Sequence, residues 1–269
     1  MSTKTESRQG SSQASSSQTH NNYIGGQWVK ARSGETFASN NPADQSDLIG
    51  LFALSSAADV KDAVDAAEKA YPAWRRTPAP FRAELLMKAA RLLETRKEEL
   101  AQIMVREMGK VIKEARGDVQ EAIDMAYYMA GEGRRLMGAT VPSELPNKFA
   151  MAVRAPIGVV GVITPWNFPV AIPSWKIFPA LVAGNTVVFK PATDTPMCAL
   201  MLVEVLIEAG FPPGVINFVT GGGGKVGMAI VEDPRVRAIS ITGSTSVGKQ
   251  VAGRCGELMK RISCELGGK

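Results

Sequence analysis

Between Val159 and Glu265 five short apolar runs alternate with four helical segments, and this rhythm constrains the fold more than any other feature of the chain. The runs are Val159–Ile163, Thr186–Phe189, Val215–Val219, Ala238–Ile241 and Ile262–Glu265. They do not alternate apolar with polar residues, so both faces of each strand must be covered. The segments Ala171–Ala183, Met197–Ala209, Lys225–Glu232 and Val247–Met259 carry helical patterns and supply the cover. Such a series predicts an α/β fold, a doubly wound parallel sheet that binds ligands beyond the carboxyl ends of its strands.

Upstream the organisation differs. Residues 1–20 are rich in Ser and Gln with almost no apolar side chain, too little burial to offset ordering entropy, so a disordered tail is expected. Tyr23–Val29 reads as a β-hairpin around Gly25-Gly26, followed by Thr36-Phe37 and a stop at Asn40-Asn41-Pro42. Three helices follow. The first begins near Ser55–Asp59, the second runs as one stripe from Arg82 to Met108 with Gly109 as its stop, and the third spans Ala115 to Met129. Val141 to Pro156, with prolines at 142, 146 and 156, reads as an extended arm.

Composition removes several function classes. The chain has a single histidine, His20, placed by this reading in the tail, so a Ser-His-Asp triad, a Cys-His dyad and a multi-His zinc site are excluded and no metal is expected. Three cysteines too far apart for a CxxC pair fit reduced thiols in the cytoplasm. A net charge of +5 without a basic cluster and with 6% aromatics argues against a nucleic-acid partner. No apolar run approaches the ~18 residues of a membrane span, and residues 1–20 lack a signal-peptide core, so no membrane partner is expected.

Two glycine patterns sit at strand ends. Gly222, Gly224 and Gly227 spell GxGxxG after one strand, but no acidic residue stands about twenty positions on, where a ribose-binding carboxylate belongs. Gly243–Lys249 spells GxxxxGK after the next, but Gln250 replaces the Ser or Thr that would hold magnesium. A phosphate-binding turn at a helix N-terminus remains physically sensible there, without a nucleotide-hydrolase core. Thr164–Pro169 ends the first strand in a Pro-flanked turn that either presents Asn167 at the ligand edge or uses it as a helix cap.

Five segments together resemble the NAD(P)-dependent aldehyde dehydrogenase superfamily. They are Thr164-Pro165-Trp166-Asn167-Phe168-Pro169, Phe189-Lys190-Pro191-Ala192, Gly210-Phe211-Pro212-Pro213-Gly214-Val215, Thr242-Gly243-Ser244-Thr245 and Glu265-Leu266-Gly267-Gly268-Lys269. Their order and spacing agree with the family from about Tyr23 to Lys269. The resemblance implies a Rossmann-like NAD(P)-binding domain over residues 21–269, NAD or NADP as cofactor and a small-molecule aldehyde as substrate. It also implies an arm, about 141–156, that joins subunits into a homo-oligomer.

Roles follow from the same resemblance. Asn167 matches the side-chain donor that stabilises the oxygen of the hemithioacetal, and Glu265 the general base that activates water for thioester hydrolysis. Lys190 matches the residue that contacts the adenosine ribose or a 2′-phosphate, and the Gly243-Ser244 turn matches the pyrophosphate site. Gly223 and Gly227 match glycines that let the cofactor approach the backbone. Ile163, Thr164, Pro165, Trp166, Ala192, Thr193, Thr242, Val247, Leu266 and Gly267 complete the expected cofactor set, and Trp166, Phe168 and Trp175 match positions that line or flank the substrate tunnel.

The chain departs from the family pattern twice. Thr193 stands where strongly NAD-preferring members carry Glu, which leaves room for a 2′-phosphate and predicts that NADP is accepted. The family's nucleophilic cysteine falls a few tens of residues beyond the Glu-Leu-Gly-Gly-Lys motif, past Lys269, and Cys198, Cys255 and Cys264 read as buried structural thiols. The expected function is therefore the cofactor-binding N-terminal part of an aldehyde dehydrogenase, inactive alone and without its catalytic domain. A free-standing dinucleotide-binding module or one piece of a split enzyme is the alternative.

Overall fold

The computed structural model describes residues 18–267. The expectation of a disordered tail lies outside the described residues for 1–17, and its end is corrected. Thr19–His20 forms β1, which pairs in parallel with Leu51 and Phe52 of a later strand, and His20 is buried with its ring stacked on Phe52 at 4.9 Å. The lone histidine is thus a packing residue of the folded chain.

The hairpin forms as expected: β2 (Asn22–Ile24) and β3 (Gln27–Val29) pair across Gly25-Gly26. Asn40–Pro42 is no stop, because β4 (Thr36–Asn41) turns at Pro42-Ala43 directly into β5 (Asp44–Ala53). Helix α1 (Ala57–Trp74) begins with a capping box, Ser56 accepting from the Ala58 amide while the Asp59 carboxylate accepts from the Ser56 amide at 2.8 Å.

The stripe expected as one helix is two, α2 (Ala79–Thr95) and α3 (Lys97–Met108). Arg96 leaves helical geometry between them, φ −94° and ψ 8°, and its guanidinium donates to Glu99 of α3 at 3.0 Å and to Glu204 at 3.3 Å. Apolar periodicity survives such a break, so the pattern alone does not reveal it. Gly109 ends α3 in the left-handed conformation, φ +80°, and α4 (Ile112–Glu132) follows. The arm is a two-stranded hairpin, β6 (Ala139–Val141) on β7 (Ala150–Ala152), with Phe149, Met151 and Val153 exposed.

The remaining elements follow the predicted rhythm to within three residues. They are β8 (Val159–Ile163), α5 (Ala171–Val182), β9 (Thr186–Lys190), α6 (Pro196–Glu208), β10 (Ile216–Phe218), a π-helical turn (Gly223–Gly227) leading into α7 (Met228–Glu232), β11 (Val236–Gly243), α8 (Thr245–Glu257) and β12 (Arg261–Leu266). The seven-stranded sheet has the order β12-β11-β8-β9-β10-β2-β3. From β8 outward, β9 and β10 step to one side and β11 and β12 to the other, all parallel, and the N-terminal hairpin adds an antiparallel edge. This is the doubly wound arrangement, with its reversal point between β8 and β11.

Alternate side chains of each strand enter different cores. Val188, Ile239 and Ile241 pack with Val64, Ile230 and Val251 of α1, α7 and α8. Val162, Phe189 and Phe218 pack on the other face with Phe178 and Leu202 of α5 and α6, which α2 to α4 then cover. Among the described residues no helix is long and apolar enough to cross a membrane.

Candidate active site

The carboxyl end of β8 lies between β9 and β11, with Ile163 opposite both Lys190 and Ile241. Two chain directions diverge from this point, and a cleft of about 440 Å³ opens there. Pro165, Trp166, Asn167 and Phe168 from the loop after β8 form one wall, and Thr242, Gly243, Ser244, Glu265, Leu266 and Gly267 from the ends of β11 and β12 form the other. Ile172 and Trp175 of α5 close the floor, with the Trp175 ring stacked near Phe168 at 6.5 Å. Asn167 and Glu265, about a hundred residues apart in sequence, thus share one space.

The Glu265 carboxylate is fixed from two sides. Thr242 Oγ1 donates to its Oε2 at 2.9 Å, and Lys176 Nζ lies 3.6 Å from the same oxygen. Lys176 is a buried lysine on α5, its pKa lowered by desolvation and partly restored by Glu265. Sequence reasoning passed over it, although a single ammonium inside Ala-Ile-Pro-Ser-Trp-Lys-Ile-Phe-Pro-Ala-Leu-Val is a signal that it must find an anion.

Helix N-termini are the natural anion seats of such a sheet, but two of them are already taken. Helices α5 and α6 lack a cap of their own. Asp118 of α4 accepts from the Ala171 amide at 2.7 Å, and Glu107 of α3 accepts from the amides of Met197 and Cys198 at 2.7 and 2.8 Å. Helix α8, capped locally by Ser244, presents exposed Thr245 and Ser246 to solvent beside the cleft. Gly243 in front of it, like Gly222, Gly223 and Gly224 at the π-helical turn, has no heavy atom within 4 Å of where a side chain would begin. A phosphate-bearing dinucleotide fits these bare surfaces.

The rest of the expected cofactor set is distributed along the neighbouring strand ends. Lys190 ends β9 and is buried, and desolvation lowers its pKa to about 8 against the pull of Asp194. Ala192 is buried and Thr193 half-buried just beyond it; neither lines the main cleft. Trp166 also lines a second recess of about 180 Å³ with Glu107, Asp194 and Thr195, so it stands between the two strand ends. Thr164 is buried, its amide donating to Lys190 O at 3.2 Å while its hydroxyl has no partner among the described residues. Gly227 differs from Gly223: it is buried, and a side chain there would begin in ordinary contact, 3.8 Å, with Ile163. Val247 is exposed on the first turn of α8. Gly268 and Lys269 of the last motif lie outside the described residues.

The phosphate-loop likeness of Gly243–Lys249 has a packing explanation at its second glycine. A Cβ on Gly248 would overlap the side chain of Leu266, so glycine there lets α8 approach β12. Two of the three thiols are buried as expected, Cys198 and Cys255, and burial raises the pKa of both. Cys264 is exposed, a correction, because β12 is an edge strand. None of the three lines the cleft.

Residues 28–269 match the profile of the aldehyde dehydrogenase family. The chain is 45% identical over 251 residues to the alpha-ketoglutaric semialdehyde dehydrogenase of Bacillus subtilis, covering 93% of this chain and 51% of that protein. It is 42% identical to the NADP(+) succinate-semialdehyde dehydrogenase of Escherichia coli, covering 91% and 51%. The crystal structure of an NAD-dependent aldehyde dehydrogenase from Sinorhizobium meliloti superposes with a TM-score of 0.91 at 39% identity, over 94% of this chain and 51% of that one. The chain thus spans about half the length of the relatives it matches. With the family profile covering most of its length and the cleft built where the sheet reverses direction, the chain belongs to the aldehyde dehydrogenase family.

Proposed function

We propose that the chain forms the NAD(P)-binding half of an enzyme that oxidises an aldehyde to its carboxylic acid. The observation that carries this reading is the shared cleft of Asn167 and Glu265, bordered by the exposed N-terminus of α8. In this reading the Asn167 amide donates to the oxygen that gains negative charge when the aldehyde carbon is attacked. Glu265, held by Thr242 and Lys176, takes a proton from the water that releases the acid. When bound, NAD(P)⁺ accepts the hydride. Gly243, Ser244 and Val247 receive its pyrophosphate, with Leu266 and Gly267 beside them; Ile163 to Trp166, Lys190, Ala192, Thr193, Gly223 and Gly227 form the remaining cofactor wall.

Lys190 beside an uncharged Thr193 favours NADP, since no carboxylate there repels a 2′-phosphate. Relatives named as semialdehyde dehydrogenases favour a semialdehyde as substrate. The exposed apolar side chains of the β6–β7 hairpin favour its use as a contact between subunits. Free cysteines suit the cytoplasm.

Titration calorimetry with NADP⁺ and NAD⁺ tests the reading on this chain. Both cofactors are expected to bind, NADP⁺ more tightly, and Thr193→Glu should weaken NADP⁺ by about tenfold or more while sparing NAD⁺. Absence of binding to either cofactor overturns it. Aldehyde with NADP⁺ should give no reduced cofactor with this chain alone, because no thiol reaches the cleft. Turnover that disappears on replacing Cys198, Cys255 or Cys264 contradicts that assignment.

A further inference from the structure

The turn between α3 and α4 reaches both loops of the site from behind. Glu107, in the last turn of α3, accepts from the amides of Met197 and Cys198 and from Ser39 Oγ at 3.1 Å, so it holds the start of α6 just after Thr193. Three residues on, Lys110 Nζ donates to the Asn167 carbonyl at 2.7 Å and to Asp118 Oδ2 at 3.0 Å, and it lies 3.8 Å from the centre of the Phe168 ring. Asp118 in turn accepts from the Ala171 amide and so holds the start of α5. Between the two grips, left-handed Gly109 reverses the chain, which lets adjacent residues of one short turn point at different loops.

Stability alone does not account for this choice of residues. Lys110 and Asp118 have 5% and 0% of their side chains exposed, and a buried ion pair costs so much desolvation that apolar residues of equal volume would hold the fold as well. The charges do supply direction. Each charged group ends on a backbone atom of a site loop or of the helix that follows it, and α5 and α6 lack a cap of their own.

Building on the cofactor-binding reading above, we propose that Glu107, Lys110 and Asp118 are positioning residues: through the Glu107–Lys110 turn they fix the Asn167 loop and the Thr193 loop in the one arrangement that receives NADP⁺. None of the three touches the cleft that Asn167 and Glu265 share. They act by holding the backbone that does.

The decisive comparison is Lys110→Met/Asp118→Asn, a neutral pair of similar volume in which the amide oxygen introduced at position 118 still accepts from Ala171, alongside Glu107→Gln. Amide hydrogen exchange is followed by residue and NADP⁺ affinity by calorimetry. The double variant should speed exchange by about tenfold from Asn167 to Ile172, and Glu107→Gln should do so from Thr195 to Ala199, while β9 amides from Val187 to Phe189 keep wild-type rates. Each should weaken NADP⁺ by about tenfold. If the double variant is insoluble, Lys110→Arg, which keeps the charge, should retain slow exchange at Asn167–Ile172, whereas Lys110→Met should not. Exchange that stays slow in both loops, or rises equally in β9, overturns the proposal, since the residues then act as ordinary core. Wild-type chain that fails to bind NADP⁺ overturns the cofactor reading instead, and the loop-specific exchange still decides the positioning role.

Discussion

Lys190 and Glu107 are displaced in pKa by the same cause, burial, with opposite chemical consequences. Burial lowers Lys190 to about 8, so its ammonium loses its proton as pH rises through that value. Affinity for NADP⁺ should therefore fall by about tenfold between pH 7 and 9 while affinity for NAD⁺ changes little, and Lys190→Met should abolish the difference; calorimetry at the two pH values measures it. Burial raises Glu107 from 4.5 to about 7, against the pull of its hydrogen bonds. The folded state then holds a proton that the unfolded state releases, so this contribution to stability is full below pH 4.5 and lost as pH rises to about 7. Thermal unfolding of the wild type should show that loss, on the order of 3 kcal/mol, between about pH 4.5 and 7, and Glu107→Gln should show a flatter profile. Local residue signals were legible in the sequence: the Ser56 box and the Gly109 stop each lie within a few positions of what they cap. The grips of Asp118 on Ala171, Lys110 on Asn167 and Glu107 on Met197 span 53, 57 and 90 residues, and no local pattern encodes them.

At the scale of elements, the central strands and helices could be read from the chain because both faces of the strands are buried and the run lengths bound them. The elements missed have weaker grammar. Strand β5 is mostly polar at its start, so its first half carries no apolar pattern, and the break at Arg96 leaves the helical stripe in phase. Glycines at the start of α8 show how similar symbols carry different tasks. Gly248→Ala should cost about 1–3 kcal/mol, read as a lowered melting temperature, because the new methyl overlaps Leu266. Gly243→Ala, with open space in front of it, should leave the melting temperature within about a degree or two and weaken cofactor binding instead. Equal melting losses for the two would show that α8 tolerates or rejects side chains for some reason other than this packing.

At the scale of the whole molecule, the sheet and its reversal point were legible, but its edges were not. Strand order outside a βαβ series depends on which distant segment pairs with an open edge, and here β2 takes the free side of β10. The other edge is left with Cys264 and a recess of about 540 Å³ beside β11 and β12. The β6–β7 hairpin stands off the body with Phe149 75% and Met151 64% exposed. On the proposed use of this hairpin as a contact between subunits, Phe149→Asp with Met151→Asp should move the chain toward monomer in size-exclusion chromatography without lowering its melting temperature, because both side chains are exposed. An elution volume equal to that of the wild type would count against the hairpin as a contact between subunits.

The pairing of β2 with β10 also dictates a timetable. Tyr23 sits opposite Phe218, and the Asn22 side chain accepts from the Thr220 amide 198 residues away. Helix α1, formed from residues 57–74, seats its apolar face on β8 to β10, none of which exists when the helix leaves the ribosome. At ordinary elongation rates the wait is roughly 7–30 s, during which Val60, Val64 and Ala67 have no sheet to cover. Helix α1 is thus translated well before the strands that secure it.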